Sequence, residues 1–311
     1  MLSVIFPPMI VGVLTVLGFT LTTVGAFTLM TPALLLKLIP LPPLQRVCSH
    51  WCIGVATQWV GVNRMMLHAL HAEARQLDVR GTLDPRRNYL LVSNHQSWVD
   101  IVLLFDLLHQ RVPFPRFFLK WELMYVPVIG LACWGMDFPF MRRHTREQIA
   151  AKPELKQQDI EATRRACAIY KTEPVTIINF LEGTRFTPAR HARNRSPFRH
   201  LLRPKAGGMS FTLDAMGEQF AGVIDVTIAY RATNKPLLWS FACGEQNQLS
   251  IHVDLRPIPA ELMHGDYEND AVYRERFQNW INTLWTEKDA RLERMLQQRP
   301  AMQAPWLASG H

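Results

Sequence analysis

The first 36 residues of the chain contain no charged side chain, and this run constrains the fold more than any other feature of the sequence. Within it, residues 9–31 form a continuous apolar stretch. As an α-helix this stretch would be about 35 Å long, enough to cross a hydrocarbon core of about 30 Å. A cleavable signal peptide would start with positive charge and have a shorter apolar core. A soluble helical hairpin is the other alternative, but so long an uncharged terminus is difficult to keep in water. We therefore expect a membrane-anchoring helix.

A second apolar run follows at residues 47–62, after a proline-rich turn at residues 40–43. This run is shorter, contains polar side chains and carries two tryptophans, which are typical of a membrane–water interface. We expect it to lie on the membrane, so that residues 1–64 form an anchor. Lys37 and Arg46 follow the first run, and the positive-inside bias then predicts a cytoplasmic location for the rest of the chain.

From about residue 77 the pattern changes to short apolar runs, rich in β-formers, that alternate with helical periods. We expect an α/β fold over residues 65–263, a single layered domain whose mixed sheet of about seven strands is flanked by helices. The predicted strands are residues 77–80, 89–93, 117–119, 137–141, 175–181, 225–230 and 250–258. Helices are predicted at residues 99–108, 160–170 and 271–296.

Residues 264–311 are expected to form a C-terminal amphipathic helix and tail. The apolar side chains of residues 277–292 recur at helical spacing, and this stripe is more typical of core packing than of membrane docking.

The chain carries 34 Lys and Arg against 26 Asp and Glu, and the resulting net charge of +8 predicts an acidic partner. Arginine is the commoner cation, and its guanidinium binds phosphate with two donors, which favours phosphate recognition. Residues 190–205 hold six cationic side chains and no acidic one. A nucleic-acid site would need interleaved aromatic side chains, and this segment has only Phe198. The segment is therefore either a solvated basic loop or a loop that faces phosphate or a membrane, and we expect no nucleic acid partner.

Five cysteines, an odd number without dense spacing, predict a reducing compartment rather than a disulfide framework. Cys48, His50 and Cys52 have a spacing that metal sites use, but they lie in an apolar, helix-like run without a second ligand cluster. We therefore expect no metal site there.

One candidate for general-base chemistry is His95, which follows the predicted strand at residues 89–93. The carboxyl edge of an open α/β sheet is where ligands bind. Asp100 comes one loop and one helical turn later, so its carboxylate could return to the imidazole, fix the tautomer and stabilise the imidazolium. The pair predicts a general base without a protein nucleophile. Ser97 and Asp100 also fit a helix N-cap with an acid at its third position, and this alternative stays open.

A second polar cluster follows the strand that begins at residue 175. Glycine permits a close backbone approach to a ligand, threonine supplies a hydroxyl and arginine a fork for phosphate, although an ordinary strand exit is the alternative. The cluster consists of Glu182, Gly183, Thr184 and Arg185. Arg142 and Arg143 end another predicted strand, where such a doublet is usually solvated.

The run Asn-His-x4-Asp at residues 94–100 and the run Phe-x-Glu-Gly-Thr-Arg at residues 180–185 together resemble the glycerolipid acyltransferase family, the PlsC-like 1-acylglycerol-3-phosphate acyltransferases. The resemblance extends over about residues 77–260. The family's second motif is similar to the apolar run ending at Arg143. Residues 223–230 resemble the fourth motif loosely, without the proline of many members and closer to the lysocardiolipin acyltransferase branch. The chain as a whole resembles a Gram-negative inner-membrane branch.

This resemblance implies acyl transfer from acyl-CoA or acyl carrier protein to the free hydroxyl of a lysophospholipid, with 1-acylglycerol 3-phosphate as the expected acceptor. It implies that His95 is the base and Asp100 its orienter. It also implies that the acceptor's glycerol phosphate is held by Arg143, Glu182, Gly183, Thr184 and Arg185. We expect no cofactor, and we expect an inner-membrane location with the catalytic domain in the cytoplasm.

Two alternatives stay open: a bulkier lysophospholipid as the acceptor, and a membrane-anchored scaffold that binds nucleic acid through residues 190–205. A third, a serine hydrolase, would be supported by a Gly-x-Ser-x-Gly turn, which the chain does not contain.

Overall fold

Two long helices, α1 (Pro8–Leu36) and α2 (Pro42–Leu70), open the chain and pack against each other as an antiparallel hairpin. The computed structural model describes residues 2–71, 76–141, 161, 170, 173–230, 232–246 and 249–297. Among these, α1 is the one helix that is long and apolar enough to cross a membrane. The second apolar run of the sequence is part of α2, which extends beyond the predicted bounds at both ends.

Helix α1 contacts the α/β layer near both of its ends. Toward its N-terminus, Thr15 lies 3.3 Å from the His71 ring, whose Nε2 atom is 3.2 Å from the carbonyl oxygen of Ala242. Gly12 approaches Cys243 so closely that a Cβ atom at this glycine would lie 2.7 Å from the cysteine sulfur. At its C-terminal end, α1 is joined to the layer by Lys37.

Lys37, one of the two charges used above as a signal of orientation, is buried. Its ammonium donates to the Ser49 hydroxyl at 2.8 Å and to the carbonyl oxygens of Trp134 and Gly135, and it pairs with Asp137 at 2.6 Å. A charge removed from water needs such partners, because an unpaired buried ammonium is very costly. Lys37 therefore joins the hairpin to the layer, and the cytoplasmic orientation inferred from Lys37 and Arg46 stays a prediction.

In the part of the chain that the structure describes, eight strands follow the hairpin: β1 (Gln76–Arg80), β2 (Asn88–Ser93), β3 (Pro115–Phe117), β4 (Leu119–Lys120), β5 (Phe140–Met141), β6 (Thr176–Asn179), β7 (Phe220–Ala229) and β8 (Ser250–Arg256). Six of them form one mixed sheet in the order β1-β8-β7-β2-β6-β3. Strand β2 is parallel to both neighbours, β6 and β7, whereas β7 and β8 are antiparallel. The expected α/β fold with a mixed sheet is confirmed. The predicted strand at residues 137–141 differs, because only β5 forms there and it pairs with β4 apart from the main sheet.

The central strands are apolar on both faces because each face of the sheet is covered. In β2, Leu90 and Val92 pack in one core cluster, while Tyr89 and Leu91 pack in the other. The remaining helices are α3 (Val99–Leu108), α4 (Ile129–Gly135), α5 (Pro188–Arg193), α6 (Gly207–Met216), α7 (Leu237–Ala242) and α8 (Ala271–Gln297). Helix α3 covers the second cluster and α8 the first.

The predictions for α3 and α8 are confirmed to within one residue. Phe277, Ile281 and Trp285 of α8 are fully buried, so its apolar stripe packs in the core as expected. Cys48 and Cys52 are also buried, on the face of α2 that points inward. The predicted helix at residues 160–170 lies almost entirely outside the described residues.

Candidate active site

Three neighbouring parallel strands, β6, β2 and β7, bring their carboxyl ends to one edge of the sheet. The residues that follow these strands are therefore close in space although they are distant in sequence. His95 follows β2, the segment from Phe180 to Arg185 follows β6, and Tyr230 follows β7. This edge is where ligands usually bind in open α/β folds.

His95 and Asp100 form the predicted pair at this edge. The Nδ1 atom of His95 lies 2.8 Å from Oδ2 of Asp100, which is fully buried as the second residue of α3. Because the ionised carboxylate can only accept, the shared proton belongs on Nδ1, and Nε2 is left free to take a proton. The imidazole is 15% exposed, so a ligand can reach it while most of the ring is held by the protein.

The same carboxylate also caps the start of α3. The backbone N–H groups of Gln96 and Ser97 donate to Asp100 Oδ2 at 2.6 Å and 2.9 Å. An acid in the first turn of a helix is also favoured by the helix dipole. Asp100 therefore orients His95 and also holds the turn that leads into α3, whose N-cap is Trp98 and not Ser97 as the alternative predicted.

Tyr230 also donates a hydrogen bond to the Asp100 carboxylate, and this contact was not predicted from the sequence. Its hydroxyl donates to Asp100 Oδ1, the oxygen that His95 does not use. Burial and the nearby Asp100 charge raise the pKa of Tyr230 well above its usual value, so the phenol stays a neutral donor. Its position at the end of a predicted strand, within the loosely matched fourth motif, was a signal, but a tyrosine there is equally common as core packing.

The peptide of His95 is fixed from the β6 side. The N–H of His95 donates to Glu182 Oε1 at 2.9 Å, and its carbonyl oxygen accepts from the N–H of Phe186 at 2.7 Å. The imidazole stacks on the ring of Phe180, with centroids 4.0 Å apart. Backbone and ring are therefore both held by the segment that contains the second predicted cluster.

Glu182 is buried and its second oxygen, Oε2, accepts from the N–H of Leu202 at 3.0 Å. We expected this side chain to contact a ligand, but both oxygens are used on backbone groups. These two backbone donors give Glu182 a positioning role at the site, because a carboxylate in this desolvated place needs donors, and its contact with a ligand stays a prediction. Burial raises the pKa of Glu182 to about 7, against the opposing effect of the two hydrogen bonds.

Gly183 and Arg185 remain on the accessible side of this segment. Gly183 has a φ of +66°, a left-handed conformation that favours glycine, and a Cβ atom there would lie 3.2 Å from the ammonium of Lys205. Arg185 is exposed and its guanidinium lies 5.4 Å from the ring centroid of Trp98. Thr184, between them, is partly exposed. Arg143 lies outside the described residues.

The basic segment at residues 190–205 is fastened to α8. Asp289 accepts from the N–H groups of Arg199 and His200, at 2.9 Å and 2.8 Å. Trp285 donates to the carbonyl oxygen of Leu202 at 3.1 Å. Because Leu202 also donates to the Glu182 carboxylate, α8 supports the histidine peptide through this segment.

The model of a family described as Acyltransferase matches residues 76–231, which contain both predicted motifs. The chain is similar to 1-acyl-sn-glycerol-3-phosphate acyltransferase delta of Mus musculus, with 25% identity over 234 residues, covering 71% of this chain and 57% of the mouse protein. It is also similar to 2-acyl-1-lysophosphatidylinositol acyltransferase of Saccharomyces cerevisiae, with 25% identity over 67% of this chain and 62% of the yeast protein. The chain thus spans about three fifths of the length of these relatives.

Among solved structures, the chain is similar in fold to the 1-acyl-sn-glycerophosphate acyltransferase PlsC of Thermotoga maritima. The TM-score is 0.53 at 15% sequence identity, and the match covers 94% of this chain and 99% of that chain. The likeness therefore includes the helical hairpin as well as the α/β layer.

The raised pKa of Glu182 predicts a pH-dependent stability. Its folded value of about 7 exceeds the ordinary value of 4.5, so the folded chain holds this proton more tightly than the unfolded chain. The free energy of unfolding should therefore fall as the pH rises from about 4.5 to about 7. Denaturant titrations in detergent at several pH values should show this slope in the native protein and a weaker slope in Glu182→Gln. Glu261→Gln, at an exposed site, serves as the control and should keep the native slope; an unchanged slope in Glu182→Gln would contradict the assignment.

Proposed function

The chain belongs to the acyltransferase family, and on this premise we propose that it moves a fatty acyl group from a thioester to the free hydroxyl of a lysophospholipid. The observation that carries the proposal is the His95–Asp100 pair, in which Nδ1 is engaged and Nε2 is free at the carboxyl edge of the sheet. The names of the mouse and yeast relatives, both lysophospholipid acyltransferases, support the same class of acceptor.

In the proposed reaction, Nε2 of His95 takes the proton from the acceptor hydroxyl as its oxygen attacks the thioester carbonyl. A carbon–oxygen bond forms, the carbon–sulfur bond breaks, and the leaving thiolate receives the proton from the imidazolium. Asp100 stabilises the imidazolium between these steps. No protein nucleophile and no cofactor are needed, and acyl-CoA or acyl carrier protein is the donor.

The proposed acceptor is 1-acyl-sn-glycerol 3-phosphate, which would yield phosphatidic acid. Arg185 is exposed beside the catalytic edge, and a guanidinium matches the geometry of a phosphate with two donors. Gly183 and Thr184 lie on the same segment, and the resemblance adds Arg143. The yeast relative supports a second candidate, a lysophospholipid with a larger headgroup, in line with the lysocardiolipin-type alternative.

The proposed location is the inner membrane, with the α/β layer in the cytoplasm. Exposed apolar side chains cover much of α1, which supports contact with lipid. Contacts from both ends of α1 to the α/β layer support a hairpin that lies in one leaflet, because a spanning helix would carry one end away from the layer. The alternative is an α1 that crosses the whole bilayer, which its length and apolar composition also allow.

Incubation of the purified, detergent-solubilised protein with one acyl-CoA and a panel of lysolipids tests the function directly. Acylation of the phosphate-bearing acceptor is expected, and His95→Ala should lower kcat by about 10²–10⁴-fold because the general base is lost. His264→Ala is the control, since His264 is exposed and pairs with Glu218. No acyl transfer to any acceptor would contradict the proposal, and nucleic-acid binding in its place would favour the scaffold alternative.

Arg185→Ala should raise the KM for the acceptor by about 10- to 100-fold and leave the KM for the thioester nearly unchanged, because a charge-assisted hydrogen-bond pair is lost. Arg185→Lys should restore only part of the affinity for the acceptor, since an ammonium lacks the planar fork of a guanidinium. Steady-state kinetics with each substrate varied in turn measures this. The control is Arg86→Ala, whose arginine is 89% exposed and pairs with Asp84. An unchanged acceptor KM in Arg185→Ala would remove the phosphate assignment.

The one-leaflet hairpin predicts that both chain termini are cytoplasmic. Reporters fused before Leu2 and after His311 should both give a cytoplasmic signal, and membranes washed with alkaline carbonate should retain the protein. A periplasmic signal from the N-terminal reporter alone would indicate a spanning α1. Release of the protein by carbonate would contradict anchoring.

A further inference from the structure

The Asp100 carboxylate divides its two oxygens between different parts of the fold. Oδ2 accepts from His95 and from the N–H groups of Gln96 and Ser97, all within five residues of Asp100 in sequence. Oδ1 accepts from the hydroxyl of Tyr230, which follows β7 and lies 130 residues further along the chain. Among the contacts of the described residues, this phenol is the one long-range hydrogen bond to the carboxylate.

We propose that Tyr230 is a positioning residue that sets how strongly Asp100 holds the imidazolium of His95 during acyl transfer. The inference rests on the proposed function and deepens it. A carboxylate fixed at one oxygen can still rotate about its Cβ–Cγ bond, whereas donors at both oxygens fix its plane. Tyr230 thereby fixes the direction from which the carboxylate meets His95.

The position of Tyr230 is itself set by the sheet. The amide of Asn94 donates to the carbonyl oxygen of Ile228 and accepts from the N–H of Ile228, both at 2.9 Å. This double bridge fixes the end of β7 against the residue that precedes His95. Tyr230 lies two residues beyond the bridge and is 6% exposed, so its hydroxyl reaches Asp100 without freedom to move elsewhere.

A neutral phenol suits this role better than a cation would. A cation at Oδ1 would neutralise Asp100 and weaken its hold on the imidazolium. A phenol donates one hydrogen bond and carries no charge of its own, so it leaves the negative charge of the carboxylate in place. The proton therefore stays on the imidazole and is available for the leaving thiolate.

Other charged groups near the pair must be separated from this effect. Among the described residues, Glu182 faces the pair from the β6 side and interacts electrostatically with Asp100, and Arg185 lies over Trp98 at the site's edge. Because the pKa of Glu182 is about 7, its titration falls in the range of a kinetic profile. The pH profiles are therefore recorded in both the native and the Glu182→Gln background.

The test compares Tyr230→Phe with 3-fluorotyrosine in place of Tyr230. Loss of the hydroxyl should lower kcat by about tenfold with both KM values nearly unchanged, because the carboxylate loses one charge-assisted hydrogen bond. Without this hydrogen bond, more of the negative charge of Asp100 acts on the imidazolium of His95. The acid limb of the pH profile of kcat/KM should therefore move to higher pH. The fluorinated phenol is a stronger donor, and it should move this limb to lower pH.

A purely structural role would give a different result. Tyr273→Phe is the matched control, because Tyr273 is also buried and donates to the carbonyl oxygen of Leu262 at 2.9 Å. The Tyr273→Phe variant should have a lower Tm, and the acid limb of its kcat/KM profile should not move. Native kcat and an unmoved limb in Tyr230→Phe would overturn the inference. If Tyr230→Phe does not fold, an unmoved limb in the fluorinated protein would overturn it.

The native protein and the His95→Ala variant are assayed for acyl transfer in the same experiment. A native protein without acyl transfer, or a fully active His95→Ala, would refute the proposed function itself. An active native protein, an inactive His95→Ala and an unaltered Tyr230→Phe would refute the role of Tyr230 alone.

Discussion

A buried carboxylate is tolerated only where donors satisfy its oxygens, and two such carboxylates lie beside His95. Asp100 takes donors from its own helix turn and from the residue after β7. Glu182 takes donors from the peptide after β2 and from the segment fastened to α8. These donors come from separate parts of the chain, so both carboxylates are satisfied only when β6, β2 and β7 are paired in the observed register. The requirement for satisfied charge thus couples the geometry of the site to the order of the sheet.

The local part of this arrangement could be predicted from the sequence. His95 and Asp100 are separated by one turn, so a strand followed by a helix is enough to bring them together, and α3 has the predicted bounds. The positioning role of Glu182 could not be predicted, because one of its donors is Leu202, a residue in another loop. Tyr230 was missed for a related reason: nothing near it in sequence shows that β7 pairs with β2.

Lys37 illustrates the same limit for charge patterns. Its position after a long apolar run is typical of a topological signal, but the carbonyl oxygens that bury it belong to α4, about a hundred residues away. Conversely, the apolar stripe of α8 was predicted well, because helical spacing alone identifies the face that packs on the sheet. Patterns within one element are therefore informative about that element, whereas the fate of a single charge depends on what the fold places against it.

The contacts between the ends of α1 and the α/β layer have a geometric consequence for the proposed reaction. Because α1 is held to the layer at two points, it cannot rotate away from it. The fold therefore fixes the distance between the apolar face of the hairpin and the imidazole of His95. A lysolipid presents its hydroxyl at one depth below the water boundary. In this arrangement the hairpin sets the height of the His95 imidazole relative to the depth at which the acceptor's hydroxyl lies. Acceptors then reach the base by diffusing sideways in the lipid plane, without leaving it.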